Sequence, residues 1–259
     1  GRRDAHRPFD EFFCAGDPAR ITPARLPARL IERGVRDPAE LWFEAVLGVR
    51  RTGWEPLARA RRKALGQRAH DLLDAALQPA EGPGRGFGEM PARAEAAARL
   101  ADALADVRRE WPADRYWDSF HAELAQLCAA LLENVLAMEG GRFVAAETWL
   151  PAGAHLVLGA RLLPVVGRLD LVRLDRPEWR GAHVDIVDFK TGGDAGLSAA
   201  RMARSGASLQ LGVYLAAARS LGAAGGRVWM IKPEPGAVAP LTFAELDVAL
   251  AKLGWLAAA

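Results

Sequence analysis

Between residues 167 and 190 the sequence reads GRLDLVRLDRPEWRGAHVDIVDFK. Two runs rich in Val, Leu and Ile flank the segment 175–182, DRPEWRGA, in which Pro177 and Gly181 mark a turn. The stretch is expected to form two adjoining strands. Successive side chains on a strand point to opposite faces. In Asp188-Phe189-Lys190 the carboxylate and the ammonium therefore share one face, and Phe189 points the other way into packing. Asp170 closes Gly167-Arg168-Leu169-Asp170 at the start of the preceding strand. Two carboxylates and one lysine at one sheet edge are the parts needed to hold a hard divalent cation and stabilise a phosphate. Alone, an Asp-x-Lys tripeptide is an exposed strand end with a surface ion pair, so its meaning depends on its company.

The pattern around this stretch sets the fold class. Residues 142–150, 155–174 and 183–190 read as an antiparallel meander. Residues 198–220 return to helical spacing and end near Gly222, and 227–232, RVWMIK, form a last core strand. A strand, a helix and a strand imply a right-handed crossover that sets 227–232 parallel to 183–190. A helix over 242–253 follows. The expectation is an α/β fold with a central mixed sheet, an antiparallel meander plus one parallel strand, flanked by helices.

Upstream, the chain reads as helical over about 21–140, before a sheet core over about 141–259. Residues 1–20 are expected to be a linker or tail, and 21–259 a single domain. Thr22-Pro23 looks like a helix start, and that helix ends near Gly34. Asp37-Pro38-Ala39-Glu40 opens a second, up to Gly48. Residues 55–77 form an amphipathic helix with Leu65, Ala69, Leu72, Leu73 and Ala76 on one stripe. Residues 79–90, PAEGPGRGFGEM, are a flexible connection rather than a phosphate loop, because no strand precedes them and no Gly-Lys-Ser/Thr closes them. Helices over about 91–110 and 113–138 stop at Gly140-Gly141.

Charge and cysteine content exclude several classes. The formal net charge is +2, so a nucleic-acid footprint must be local. Cys14 and Cys128 form neither a disulfide framework nor a Cys-rich metal site. No apolar run reaches membrane-spanning length and no signal-peptide pattern occurs, so a cytoplasmic location is expected.

Further residues join Asp170, Asp188 and Lys190. Gly66 and His70 are four apart on one helix face, and the glycine lets another backbone approach beside the ring. Gln210 and Tyr214 share a face in the same way, either as a packed helix face or as site residues. Gln210 follows Lys190 by a loop plus a returning helix, and Gly192-Gly193 permits the sharp turn. Arg59, Arg61, Arg62, Lys63 and Arg68 precede or flank His70, as a solvated face or as phosphate contacts. Glu147 is either a further acidic member of the site or a solvated strand end.

In order, the chain carries Gly66-x-x-x-His70, Gly167-Arg168-x-Asp170, Asp188-Phe189-Lys190-Thr-Gly and Gln210-x-x-x-Tyr214. Over roughly residues 22–235 this resembles the RecB-type nucleases of the PD-(D/E)XK superfamily, most of all the C-terminal nuclease domain of AddB-like helicase–nuclease subunits. The resemblance implies a PD-(D/E)XK nuclease-like core. It implies that His70, Asp170 and Asp188, with the Phe189 carbonyl, ligate Mg²⁺ or Mn²⁺. Lys190 would position or activate the attacking water and stabilise the developing charge. Gln210 and Tyr214 would contact the DNA strand and orient the catalytic groups. Apart from the resemblance, the charge of Arg59, Arg61 and Arg62 gives the expectation that they hold the DNA backbone. The activity implied is metal-dependent exonuclease action within DNA end processing, with a helicase domain or partner subunit. Many AddB-like domains carry four cysteines for an iron–sulfur cluster; this chain has two at unmatched positions, so no cluster is expected. The alternative is a non-catalytic DNA-binding or scaffold subunit that keeps the fold.

Overall fold

The computed structural model describes residues 26–37, 43–44, 48–49, 57–78, 86–191, 199, 208–234 and 239–251. The expected tail over 1–20, the helix start at Thr22-Pro23, most of the helix over 37–48 and Gly192-Gly193 lie outside the described residues.

A six-stranded sheet forms the centre. Its strands are β2 (Gly88–Glu89), β3 (Phe143–Trp149), β6 (Arg168–Leu174), β7 (His183–Phe189), β8 (Gly225–Ile231) and β9 (Leu241–Thr242), in that spatial order. β3, β6 and β7 run antiparallel, and β7 and β8 pair in parallel from His183↔Gly225 to Phe189↔Ile231. The mixed α/β fold expected from the pattern is the one observed. One detail differs. Residues 155–166 do not continue the meander. They fold into a hairpin of β4 (His155–Leu158) and β5 (Arg161–Val166), which joins β1 (Leu26–Pro27) in a separate three-stranded sheet. Local alternation cannot distinguish the two outcomes, because both satisfy the same period of two.

Helices cover both faces. On one side lie α2 (Leu57–Leu77), α3 (Arg93–Glu110) and α4 (Arg115–Leu136). Asp114 caps α4 by accepting the N–H groups of Tyr116 and Trp117 at 2.9 and 3.1 Å. Leu65, Ala69, Leu72, Leu73 and Ala76 of α2 are buried there with Val144, Ala146, Leu171, Val187 and Phe189 of the sheet, so the stripe read from the sequence is the packed face. On the other side α5 (Leu209–Ser220) packs against β7, β8, β4, α1 (Ala28–Arg36) and α6 (Leu246–Leu250). Covered on most sides, α5 is buried and largely apolar from Leu211 to Ala218. No helix of the described residues is long and apolar enough to cross a membrane.

At one end of the sheet, away from the chemistry, a polar network is fully engaged. Arg173 donates to the carbonyls of Val135, Met138 and Gly141 at 3.1–3.2 Å and so closes the end of α4. Asp185 accepts from Arg227 and from the Trp229 indole at 2.7 and 2.9 Å.

Candidate metal centre

β3 and β6 keep one register from Phe143 opposite Leu174 to Trp149 opposite Arg168, which sets Glu147 opposite Asp170. Glu147 is 7% exposed and is the one described non-glycine residue with a positive φ, 44°. That conformation costs about 1–3 kcal/mol at a residue with a Cβ and persists only where the surroundings over-determine it. Here they do. Glu147 Oε1 lies 3.1 Å from His70 Nδ1, and Oε2 lies 2.8 Å from Arg168 Nε. The same Arg168 Nε donates to the Glu147 carbonyl at 3.1 Å. Of the two alternatives for Glu147, the solvated strand end is excluded by its burial.

Asp170 meets the same ring. Its Oδ1 lies 3.4 Å from His70 Nδ1, and its Oδ2 accepts the Phe189 N–H at 2.8 Å. His70, Glu147 and Asp170 each offer one ligand atom, all within 4.8 Å of one another. α2 delivers His70. Gly66, one turn earlier, gives room not to a backbone but to the Thr191 side chain, since a Cβ there would meet Thr191 Oγ1 at 2.8 Å. The His70 ring also stands edge-on to Phe189, with centroids 5.7 Å apart.

Asp188 lies on β7, and Lys190 stands just past its end. Phe189 points to the opposite face and is buried among the residues under α2 and α4, as strand alternation requires. Lys190 Nζ stands 2.6 Å from Asp188 Oδ2. That oxygen is fully buried, with the Lys190 ammonium as its close partner. A buried carboxylate is costly unless it is paired, and here the Lys190 ammonium offsets that cost. One imidazole nitrogen with several carboxylate oxygens fits Mn²⁺ well, and Mg²⁺ through its oxygen ligands.

The electrostatics follow from this crowding. Burial pushes Asp188 up to about 6; Lys190 pulls it down and the Asp170 charge pushes it up. Burial is thus the main cause, ahead of repulsion between the two carboxylates. Burial also works against a charged His70, but hydrogen bonds to Asp170 and Glu147 and their charges outweigh it, and the ring rises to about 10. Without a metal, His70 is an imidazolium clamped between two carboxylates. Lys190 is raised too, because Asp188 outweighs the opposing effect of burial.

Gln210 and Tyr214 reach the site from α5. Gln210 Nε2 donates to Tyr214 Oη at 2.8 Å, and Tyr214 Oη donates to the Arg168 carbonyl at 3.1 Å. A Cβ at Gly167 would meet the Tyr214 ring at 2.5 Å, so glycine there lets the ring close on the start of β6. The pair holds the strand that carries Arg168 and Asp170.

The basic cluster divides. Arg61 is ion-paired to Glu123 of α4 at 2.5 Å, with its guanidinium 5.2 Å from the Phe120 ring centre. Nine residues before His70, it lies half a turn round α2 from that ring. Arg62 is exposed, and the Arg59 side chain lies outside the described residues.

The sequence model of the PD-(D/E)XK nuclease superfamily matches residues 35–252. No curated protein matches the chain. A solved structure titled "Crystal structure of SSO0001" is similar over 75% of this chain and 85% of its own, at 15% identity and a TM-score of 0.27, too loose a likeness to carry an argument. The family match spans every residue of the cluster, and the chain belongs to the PD-(D/E)XK nuclease superfamily, whose members are typically metal-dependent nucleases.

Proposed function

We propose that the chain is a divalent-metal-dependent deoxyribonuclease that hydrolyses phosphodiester bonds. The observation that carries this is the convergence of His70, Glu147 and Asp170 beside the buried Asp188–Lys190 pair. His70, Glu147, Asp170 and Asp188, with the Phe189 carbonyl, would hold Mg²⁺ or Mn²⁺. A cation in that place polarises the phosphoryl oxygen and makes a bound water more acidic.

The chain's own residues supply the rest. Lys190 is held charged by Asp188 and stabilises negative charge that develops on the phosphate. Gln210 and Tyr214 hold the start of β6, the strand from which Asp170 projects. Arg59 and Arg62 are proposed to hold the DNA backbone, whereas Arg61 is spent on Glu123. A scaffold that had lost catalysis would have no need to maintain a glutamate at φ 44°.

The finer reading is a RecB-type, AddB-like exonuclease domain that acts in DNA end processing, in the cytoplasm, alongside a helicase domain or subunit. Its support is the order and spacing of the four motifs from Gly66 to Tyr214. Plasmid, linear duplex and single strands incubated with Mg²⁺, Mn²⁺ or EDTA test the activity and its mode. Cleavage should require the metal, and Asp188→Ala should abolish it with a native circular dichroism spectrum. Undiminished cleavage in EDTA overturns the proposal.

A further inference from the structure

Five tryptophans fall among the described residues, and four have partners. Trp111 and Trp117 pack on each other with ring centroids 5.0 Å apart. Trp179 packs edge-on against Phe87, and the Trp229 indole donates to Asp185. Trp149 is 64% exposed, and its indole has no hydrogen bond or ring contact among the described residues.

Its place in the fold is specific. Trp149 follows Glu147 by two residues on β3, about 7 Å along a strand. In register it stands directly opposite Arg168, the residue whose guanidinium grips Glu147. Directly opposed residues of an antiparallel pair project from the same face, with Cβ atoms about 5 Å apart. Trp149 therefore flanks the metal cluster on the face that Arg168 occupies, mounted as the last residue of β3 rather than on a loop. An indole face left open there costs apolar exposure and contributes nothing to the core.

We infer that Trp149 is a stacking platform for an unpaired nucleobase next to the phosphate held at the metal cluster. The inference rests on the nuclease reading of that cluster. Every base has a π-face, so such a platform is tolerant of sequence. In a duplex both faces of an internal base are already stacked and a terminal base is held in its pair, so a single-stranded or flipped base uses the ring most readily. The ligand class is single-stranded DNA, and Trp149 becomes the residue that favours it over paired ends.

The test measures binding in EDTA, where metal-dependent cleavage is off. Three probes are titrated: a single strand of about 12 nucleotides, the same strand with abasic sites, and a blunt duplex. Wild type should bind the base-bearing strand more tightly than the abasic one. Trp149→Ala should weaken binding of the base-bearing strand by roughly 5- to 150-fold and leave the abasic strand and the duplex nearly unchanged. Trp149→Phe, which keeps a ring face, should restore most of the loss. Equal wild-type affinity for the base-bearing and abasic strands overturns the inference, whatever the variants do. So does an equal loss on all three probes in Trp149→Ala. Cleavage with Mn²⁺ is followed on the same samples. Ring-dependent binding without cleavage upholds stacking and overturns the nuclease reading, whereas cleavage with ring-independent binding does the reverse.

Discussion

Glu147 and Asp170 face each other across β3 and β6, and both carboxylates close on one histidine nitrogen, at 3.1 and 3.4 Å. The strand is distorted at Glu147 to allow it, with φ at 44°. Ligand atoms converging at one point suit a cation, and a strained backbone is common at functional sites.

Glu147→Gln keeps the shape and removes the charge. It should lower Mn²⁺ affinity by at least about tenfold, since even residues behind the ligands cost that much. At a hundred times its dissociation constant, Mn²⁺ should stabilise wild type by about 2.7 kcal/mol. The variant should lose most of that rise in melting temperature while melting cooperatively in EDTA. A full Mn²⁺ shift in Glu147→Gln would remove Glu147 from the site.

Lys190→Ala should act on the reaction rather than on binding. The ammonium is held 2.6 Å from Asp188 and cannot ligate a metal while charged. The rate on bound DNA should fall by on the order of 10²–10³, with affinity changed much less. Single-turnover kinetics separate the two. A loss confined to affinity would assign Lys190 to binding.

Metal binding should displace a proton from His70. Its folded pKa, about 10, lies above the ordinary value of 6.5. A raised pKa means that the clamped imidazolium stabilises the metal-free fold fully below about pH 6.5, and that this is lost as pH rises through about 10. A ligand must be neutral, so Mn²⁺ competes with that proton and binds more tightly as pH rises across this window. Calorimetry at pH 7.5 in two buffers of different ionisation enthalpy should show release of about one proton per Mn²⁺. His70→Ala should release about one fewer. Equal release from both proteins would show that His70 is not a ligand.

Arg173→Leu should separate stability from chemistry. Arg173 is 6% exposed and satisfies three carbonyls at the end of α4. Removing it takes the side-chain donor from the Met138 and Gly141 carbonyls and leaves Val135 with backbone N–H donors alone, a loss of roughly 3 kcal/mol. For a chain of this size that is about 6–12 °C in melting temperature. Cleavage well below the melt should match wild type. Lost activity with an unchanged melt would contradict the structural role.

The sequence by itself determined the parts that repeat at short range. Period-two alternation put Asp188 and Lys190 on one face and sent Phe189 to the other. Helical spacing made Gly66 and His70, and Gln210 and Tyr214, neighbours. The strand–helix–strand order made β8 parallel to β7. Only the tertiary structure decided what joins across the chain. Glu147 is an acid within the apolar run VAAETW, and nothing local says that it turns back to meet a histidine 77 residues away. The β4–β5 hairpin left the main sheet to pair with β1, an outcome that alternation permits but does not select. Arg61 looked like its basic neighbours until α4 brought Glu123 and Phe120 to it. Periodicity specifies which face a residue occupies, whereas register, burial and charge pairing depend on which distant face lies opposite, and packing settles that.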